Sequence, residues 1–208
     1  MGPNGNDRGE RAQRILEAAD RLFCERGFDG VSMRDVAQLA GVNKALTFYY
    51  FNSKAELFER VLERYYRAHM EALEGAFAED GSLRARIHTM IDAYLDFMVS
   101  HQRYARLIQQ QVAGSETHHA LIERNLAPLF RWTQGVLAGA APATGHLSAR
   151  QFFVTFSAMV INYFTYAPVL SAMWGEDPMS ATALRERRQH LHWMVDAILD
   201  RFELEGDA

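Results

Sequence analysis

The chain has 208 residues, of which 49% are hydrophobic and 12% aromatic, so it can bury a sizeable core and is not a disordered polymer. Its formal net charge of −4 excludes a uniformly basic nucleic-acid binder, although the first 55 residues carry eight Lys and Arg against seven Asp and Glu. A single cysteine, Cys24, excludes an intrachain disulfide and is compatible with a reducing cytoplasm, and its apolar surroundings favour a buried, inert thiol.

Apolar residues at helical spacing predict about nine helices and no strand. The predicted helices cover residues 10–26, 33–40, 44–51, 54–77, 83–100, 102–113, 116–138, 152–174 and 180–203. Residues 1–7 are rich in Gly and Asn, so we expect a disordered leader, and no charged start precedes an apolar run, so we expect no secretory signal. The pattern therefore predicts an all-α fold whose short helices lie near its start.

Turn and capping residues mark the ends of the early helices. Gly27 and Gly41 end the first two helices, because glycine readily adopts the backbone conformation that closes a helix. Residues 32–35 form a capping-box pattern, Asn43 is placed to cap the third helix, and residues 53–56 repeat the capping box at the fourth. These signals predict helix boundaries independently of the apolar pattern.

The two last helices carry more apolar surface than one subunit can bury, which predicts a dimer. Residues 152–174 hold no charged side chain and are long enough to span a bilayer, but their Thr, Ser, Asn and Pro residues favour burial in protein. Pro128 should kink or split its helix, and Pro168 should bend or shorten the apolar one. The last helix carries an apolar stripe for packing on another helix, made of Leu184, Leu191, Val195, Ile198 and Phe202.

The apolar helix leaves two arrangements open. Phe153, Val160 and Phe164 face the core while Phe156 and Tyr163 face a partner subunit, or the reverse. Either arrangement predicts a homodimer and no membrane span.

Residues 32–54 carry the pattern of a helix-turn-helix. Gly41 allows a sharp turn between two short helices, and Val42 fills the space between them. The second helix is then free to enter a DNA major groove, whose width suits one α-helix. Lys44 and Lys54, the only lysines of the chain, both lie in this segment. We predict ten DNA-contacting residues: Ser32, Arg34, Asn43, Lys44, Ala45, Leu46, Phe48, Tyr49, Tyr50 and Lys54.

This segment resembles the TetR family of bacterial transcriptional regulators. The resemblance rests on RILEAADRLF at 14–23, GF at 27–28, VSMRDVAQLAGVNK at 31–44, FYYFNSK at 48–54 and ELF at 56–58. It covers about fifty residues with several fixed spacings, whereas the remainder matches the family only in helical layout and length.

The resemblance implies a one-component regulator of two domains. A three-helix DNA-binding domain would cover 8–53, and a larger effector-binding and dimerisation domain 54–205. The last two helices of each subunit would form a four-helix interface, and the homodimer would bind a palindromic double-stranded DNA operator. A small-molecule effector would separate or lock the two DNA-reading heads, and repression is the family's common mode.

Three residues depart from the family pattern. Ala45 stands where glycine is common, Thr47 where an aliphatic residue is common, and Phe48 where tyrosine is common. Phe48 lacks the hydroxyl, so it either touches a thymine methyl or packs inside. The departures leave the operator sequence open, while the remainder of the pattern still predicts DNA binding.

Polar groups on otherwise apolar helix faces predict the effector site, because ligand pockets combine an apolar lining with a few polar groups. The polar candidates are Tyr94, His101, Gln109, Gln110, Trp132, Asn162, Tyr163 and Tyr166, and Met98 is a candidate for an adaptable apolar wall. Each of them is also compatible with an ordinary core or surface role. The aromatic content suits an apolar or aromatic effector.

Enzymatic motifs are missing from the sequence. It contains no nucleophile elbow, no glycine-rich phosphate loop and no zinc-protease helix motif. His118 and His119 are adjacent, and His190 and His192 lie on different helix faces, so neither pair has the spacing of helical metal ligands. We predict no catalytic residue, no metal and no cofactor. The remaining alternative, a helical interaction module that has lost DNA binding, predicts no salt-dependent association with DNA.

Overall fold

The computed structural model describes residues 5–78, 81–112, 116–138 and 141–206, and in these ranges the regular secondary structure is α-helical apart from one isolated bridge between Ala138 and Ala141. The nine helices of these ranges are α1 Gly5–Arg26, α2 Met33–Ala40, α3 Lys44–Tyr50, α4 Lys54–Phe77, α5 Leu83–Ser100, α6 Gln102–Val112, α7 Glu116–Val136, α8 Ala149–Trp174 and α9 Ala181–Gly206. The prediction of an all-α fold with a helix-turn-helix near its start is confirmed.

The helices pack as two compact units. The first consists of the described residues of Met1–Tyr66 and Arg106–Ile122, and the second of those of Arg67–Ala105 and Glu123–Ala208. Helices α4, α6 and α7 therefore contribute residues to both units. The predicted boundary between residues 53 and 54 separates a DNA-binding domain from an effector-binding domain. The packing units do not test this boundary, so it stays a prediction.

The early helices begin and end at the capping residues. Ser32 Oγ accepts a hydrogen bond from the Asp35 backbone N–H at 3.2 Å, and Asp35 Oδ2 accepts one from the Ser32 N–H at 2.9 Å. The hydrogen bonds from Ser32 also hold the pKa of the Asp35 carboxyl below its ordinary value. Gly27 and Gly41 end α1 and α2 with φ of 71° and 66°, a left-handed conformation in which other residues are strained.

The caps of α3 and α4 differ in one detail from the sequence pattern. Asn43 Oδ1 accepts from the Leu46 N–H at 2.7 Å, as expected of a helix cap. Ser53 Oγ accepts from the Glu56 N–H at 3.1 Å, but Glu56 Oε2 reaches the Asn52 N–H at 3.0 Å instead of that of Ser53. The second capping box is therefore shifted by one residue on its acidic side.

Neither internal proline ends a helix. Pro128 lies inside α7 and Pro168 inside α8, and both helices continue beyond the proline. A proline removes one backbone hydrogen bond, and the rest of a long helix can compensate for that loss. Of the alternatives from the sequence, splitting of α7 and shortening of α8 are excluded.

A buried polar cluster joins α1 to α4 in the first unit. Asp20 is 5% exposed, and its Oδ1 accepts a hydrogen bond from the Tyr65 hydroxyl at 2.6 Å. Arg64 Nη2 lies 3.5 Å from Asp20 Oδ2, and the Cys24 thiol lies 3.7 Å from Oδ1. Cys24 is 3% exposed, which confirms the interpretation of a buried thiol. The acid is thus stabilised by hydrogen bonds and by an opposite charge.

An ionic network connects α5 to α9 in the second unit. Its members are Arg84, His88, Asp92, Asp96, Arg188, His192, Asp196 and Asp200. Arg84 contacts Asp196 at 2.9 Å and Asp200 at 2.7 Å, and His192 Nε2 lies 2.7 Å from Asp92 Oδ1. The rings of His88 and His192 stack with their centroids 4.4 Å apart. Partial exposure of these side chains lets solvent screen each pair, so the network acts mainly by its number of contacts.

The α5–α9 network should make the second unit sensitive to acid. The hydrogen bond from Arg84, helped by the charge of His88, holds the pKa of Asp196 below its ordinary value. A carboxyl with a lowered folded-state pKa stabilises the protein above its unfolded pKa of about 4, and this contribution disappears as pH falls through the folded pKa. Urea unfolding between pH 6 and pH 3 should therefore show a steeper loss of stability for the parent than for Asp196→Asn. Equal slopes for the two proteins would contradict this role of Asp196.

Candidate DNA interface and effector region

An arginine of α1 fixes the turn between α2 and α3. Arg14 Nη2 donates to the Ala40 carbonyl at 2.5 Å and lies 3.4 Å from that of Gly41, so a cation closes the carbonyl end of α2. The Val42 N–H donates to the Ala37 carbonyl at 3.0 Å, which completes the turn. Sequence reasoning missed this positioning role, although Arg14 is the first residue of the segment that carries the family resemblance.

The outward face of α3 combines a cation with exposed aromatic rings. Lys44, Ala45, Phe48 and Tyr49 are exposed, with Phe48 at 41% and Tyr49 at 64%. Of the two alternatives for Phe48, the structure therefore shows the exposed one. Leu46 and Tyr50 are half-buried, while Ser32, Arg34 and Asn43 are exposed near the starts of α2 and α3. Phe51 is buried, so the aromatic run divides between core and surface.

Cations lie against aromatic rings at four described places in this unit, and all but the contact of Arg64 with Tyr65 involve the helix-turn-helix or the residues beside it. Lys44 Nζ is 5.7 Å from the centre of the Phe48 ring, and the Arg8 guanidinium is 5.2 Å from that of Tyr49. Lys54 Nζ is 4.2 Å from the Phe28 ring and donates to the Phe28 carbonyl at 3.0 Å. Lys54 thus ties the start of α4 to the connection before α2, and its ammonium carries further donors for a phosphate.

A buried hydroxyl in α3 predicts a stabilising substitution. Thr47 is fully buried, and its Oγ1 has no hydrogen-bond partner among the described residues. Thr47→Val should raise the free energy of unfolding by about 1 kcal/mol, because it replaces an unsatisfied polar group by an apolar one of the same shape. The matched control is Thr133→Val, which removes a hydrogen bond of 3.0 Å from Thr133 Oγ1 to the Leu129 carbonyl and should lower stability. Urea unfolding measures both, and destabilisation by Thr47→Val would contradict the prediction.

The nine effector candidates do not converge on one place. Gln109 and Gln110 belong to the first unit and the other seven to the second. Gln109 is exposed, whereas Gln110 is half-buried, with its Nε2 3.5 Å from the Cys24 carbonyl. In the second unit, Trp132 packs edge-on against Phe77, with ring centroids 5.6 Å apart.

Tyr94, Met98 and His101 lie in a largely aromatic part of the second unit. Tyr94 and Met98 are buried and His101 is half-buried. The ring of His69 stacks on Tyr94 at 4.3 Å and on Phe97 at 4.8 Å, and Phe97 in turn stacks on His101 at 4.4 Å. These rings form a stacked column that leads from the partly exposed His101 to buried rings.

Sequence reasoning missed His69, which is the most unusual polar group of this region. His69 is 2% exposed, and neither ring nitrogen has a hydrogen-bond partner among the described residues. Burial, with a smaller effect of His101, lowers the pKa of His69 to about 3, so its ring is neutral near pH 7. An unsatisfied buried polar group costs stability, which makes it a candidate for ligand recognition. A lone histidine within an amphipathic helix pattern gave no signal of this burial.

Asn162, Tyr163 and Tyr166 line an open cleft of about 590 Å³ between α8 and α9. Tyr163 is buried and donates its hydroxyl to the Pro178 carbonyl at 2.7 Å, and burial raises the pKa of this phenol. The Arg187 guanidinium lies 5.2 Å from the Tyr163 ring and also donates to the Met159 carbonyl. The cleft thus combines aromatic walls with one partly buried cation.

Neither arrangement proposed for the apolar helix describes α8. Val160, Phe164 and Tyr163 are all buried, whereas Phe153 and Phe156 are half-buried. Val160 and Tyr163 are three residues apart, so they are neighbours on the helix surface and are buried together. Residues from both predicted sets therefore lie on one buried face of α8.

An apolar face of the second unit is exposed on α8 and α9. Its large exposed side chains are Val154, Tyr166, Val169, Met173, Trp174 and Trp193. Only 17% of the most apolar 18-residue window of α8 is buried. By length and composition alone α8 could cross a membrane, which is weak evidence, since helices that pack in soluble proteins pass the same test. Among the described residues, no group of three or more His, Cys, Asp or Glu side chains is arranged to hold a metal ion.

Comparison with known proteins relates both the early helices and the whole fold to bacterial regulators. The family model described as bacterial regulatory proteins, tetR family, matches residues 15–61. The HTH-type transcriptional activator FasR of Mycolicibacterium smegmatis is 32% identical over 110 residues, which are 50% of this chain and 50% of FasR. The chain spans about half the length of the curated relatives it matches. These relatives are named as transcriptional regulators and not as enzymes.

Two solved structures match over nearly the whole chain. The fatty acid degradation regulator FadR of Bacillus halodurans has a TM-score of 0.68 at 16% identity, over 92% of this chain and 96% of that one. FadR of Bacillus subtilis, solved in complex with stearoyl-CoA, has a TM-score of 0.67 at 14% identity, over 91% of this chain and 96% of that one. At these identities the likeness concerns the fold.

Proposed function

We propose that the chain, whose residues 15–61 match the model of the tetR family, is a transcriptional regulator of that family, that it binds a palindromic DNA operator as a homodimer, and that a small-molecule effector controls this binding. The observation that carries the proposal is the outward face of α3, which presents Lys44 and two exposed aromatic rings. This helix follows a turn in which Arg14 donates a hydrogen bond to the Ala40 carbonyl. This helix would enter the major groove, and the dimer would read half-sites about 34–36 Å apart. Such a regulator acts in the cytoplasm, and repression is the mode we propose.

The ten residues predicted from the sequence remain our proposed DNA contacts. Lys44, Ala45, Leu46 and Phe48 would face base edges, since they lie in the first turns of α3. The others would contact the sugar–phosphate backbone: Ser32, Arg34, Asn43, Tyr49, Tyr50 and Lys54.

The two lysines should separate base reading from backbone binding. Lys44→Ala should change the sequence preference, and Lys54→Ala should weaken binding to every duplex alike and lower the salt dependence. Selection from a random DNA pool at two salt concentrations, followed by titration of the selected palindrome and an unrelated duplex, measures both effects. Arg21→Ala is the control, because Arg21 is exposed and paired with Glu25 at 3.0 Å. If neither lysine variant differed from the parent, the assignment of the interface would be wrong, and sequence-blind or absent binding by the parent would favour the interaction module.

A second copy of the chain is our proposed partner for the exposed apolar face of α8 and α9. Soluble proteins rarely leave such a face uncovered, and a two-fold dimer buries the same patch twice. Trp193 extends the face onto α9, which carries many charged residues, so the face belongs to a pair of helices and not to one membrane-spanning segment.

The effector region lies mainly in the second unit, which holds seven of the nine candidates, whereas Gln109 and Gln110 belong to the first. The nine residues predicted from the sequence remain candidates, and the buried, unsatisfied nitrogens of His69 favour the group around Tyr94, Met98 and His101. An aromatic lining with a neutral imidazole suits an apolar or aromatic molecule that carries an uncharged hydrogen-bonding group. The complex of the similarly folded Bacillus subtilis FadR with stearoyl-CoA supports an effector with a large apolar part.

A further inference from the structure

The first turns of α1 place a second cation beside the outward face of α3. The Arg8 guanidinium lies 5.2 Å from the centre of the Tyr49 ring, and both side chains are exposed. Tyr49 also packs edge-on against Tyr50, with ring centroids 5.3 Å apart. Arg8 is therefore held next to α3, although it belongs to another helix.

Arg8 contacts an aromatic ring but no hydrogen-bond acceptor among the described residues. Among the described residues, the Tyr49 ring is its one recorded contact, and no carboxylate pairs with it. A cation over an exposed ring gains little stability, so the contact orients the guanidinium more than it stabilises the fold. No described residue accepts from the five N–H donors of Arg8, whose planar arrangement matches the oxygens of a phosphate.

The pairing of Arg8 with Tyr49 parallels that of Lys44 with Phe48. In both, a cation lies within 6 Å of an exposed aromatic ring of α3. Lys44 belongs to α3 itself and would enter the groove with it, whereas Arg8 approaches from α1. A major groove holds one α-helix, so a cation carried by a neighbouring helix meets the wall of the groove, which is made of phosphates.

We propose that Arg8 is a DNA-backbone contact of each half-site and that the Tyr49 ring is its positioning platform. The inference rests on the proposed DNA binding and adds a contact that the helix-turn-helix pattern does not contain. Arg8 adds affinity for DNA of any sequence. The Tyr49 ring holds the Arg8 guanidinium at one position along the phosphates of the groove. The substrate chemistry is a phosphodiester of double-stranded DNA, not a base edge.

The test compares Arg8→Ala with Arg21→Ala, a variant of an exposed arginine on the same helix, by titration of the selected palindrome and of an unrelated duplex over a range of salt concentrations. Arg8→Ala should lower the affinity for both duplexes by about tenfold at 0.1 M salt and reduce the salt slope by about two per dimer, because each subunit loses one phosphate contact. Arg21→Ala should keep the parental affinity and slope. Arg8→Lys should recover most of the slope, since it keeps the charge.

A second pair of variants tests the platform. Arg8→Ala should cost as much in a Tyr49→Phe background as in the parent, and clearly less in a Tyr49→Ala background, where the guanidinium has lost its ring. A parental salt slope in Arg8→Ala would overturn the inference while leaving DNA binding intact, and so would a changed sequence preference, which indicates base reading. If the parent bound no DNA, the proposed function and this inference would both fail.

Discussion

Replacing Met173 by aspartate should convert the protein from a dimer to a monomer and lower its operator affinity by at least about 100-fold. Met173 is 72% exposed on the apolar face of α8, next to Val169 at 56%. If a second copy covers this face, the substitution places an unpaired carboxylate in an apolar interface, which costs several kcal/mol, and about 2.7 kcal/mol corresponds to 100-fold. Two-fold symmetry doubles the penalty, because each subunit contributes one aspartate.

The matched control is Val112→Asp, since Val112 is 59% exposed on α6 and lies outside the apolar face. Light scattering after size-exclusion chromatography reports the oligomeric state, and titration of the selected palindrome reports the affinity. The control should remain a dimer with parental affinity. A Met173→Asp protein that stayed dimeric and kept its operator affinity would place the interface elsewhere, and binding of the parent to vesicles of neutral phosphatidylcholine would instead favour the membrane alternative for α8.

The outward face of α3 and the exposed face of α8 and α9 differ in chemistry. The face of α3 presents cations beside aromatic rings, whereas the face of α8 and α9 presents large apolar side chains. The first composition suits a phosphate backbone and base edges, and the second suits another protein surface. A regulator that reads a palindrome needs both, because the dimer interface sets the spacing of the two recognition helices.

Helix boundaries were predictable because their causes are local. The glycines at 27 and 41 and the caps at Ser32 and Asn43 act within one turn of their own helix, so sequence alone located α1, α2 and α3. The outward face of α3 followed from the same signals, since a capped short helix after a tight turn leaves its polar side to solvent. Seven of the ten predicted DNA contacts are exposed, and Leu46, Tyr50 and Lys54 are half-buried, while their contact with DNA stays a prediction.

Contacts between distant residues were not predictable in the same way. The link from Arg14 to the Ala40 carbonyl and the contact of Arg8 with Tyr49 each join α1 to a later part of the chain, and no local pattern encodes them. The unpaired nitrogens of His69 were not predictable for a different reason. A helical pattern indicates which helix face a histidine lies on, but not whether its ring nitrogens find hydrogen-bond partners. Apart from Met98, the effector candidates were chosen by polarity alone, so they include the exposed Gln109 and Tyr166 as well as buried side chains.

The buried acid that joins α1 to α4 should have the largest effect on stability. Asp20→Ala should lower the free energy of unfolding by about 3 kcal/mol, because it leaves the buried Tyr65 hydroxyl without its carboxylate acceptor and Arg64 without its opposite charge. Burial, together with the hydrogen bond to Asp20, raises the pKa of Tyr65 well above its ordinary value, so the phenol remains a donor throughout the neutral and mildly alkaline range. Tyr65→Phe should cost less, about 1.5 kcal/mol, since Asp20 keeps Arg64 as its counter-charge.

Urea unfolding of the two single variants and of the double variant measures the coupling between Asp20 and Tyr65. The double variant should lose less stability than the sum of the single losses, because the second substitution removes a group whose partner is already absent. Gln13→Ala is the control on the same helix, where an exposed hydrogen bond of 2.8 Å to Glu17 should contribute less than about 0.5 kcal/mol. Strictly additive losses would mean that the bond between Asp20 and Tyr65 contributes nothing of its own, and that other contacts, such as that of Phe23 with Phe58, hold α1 to α4.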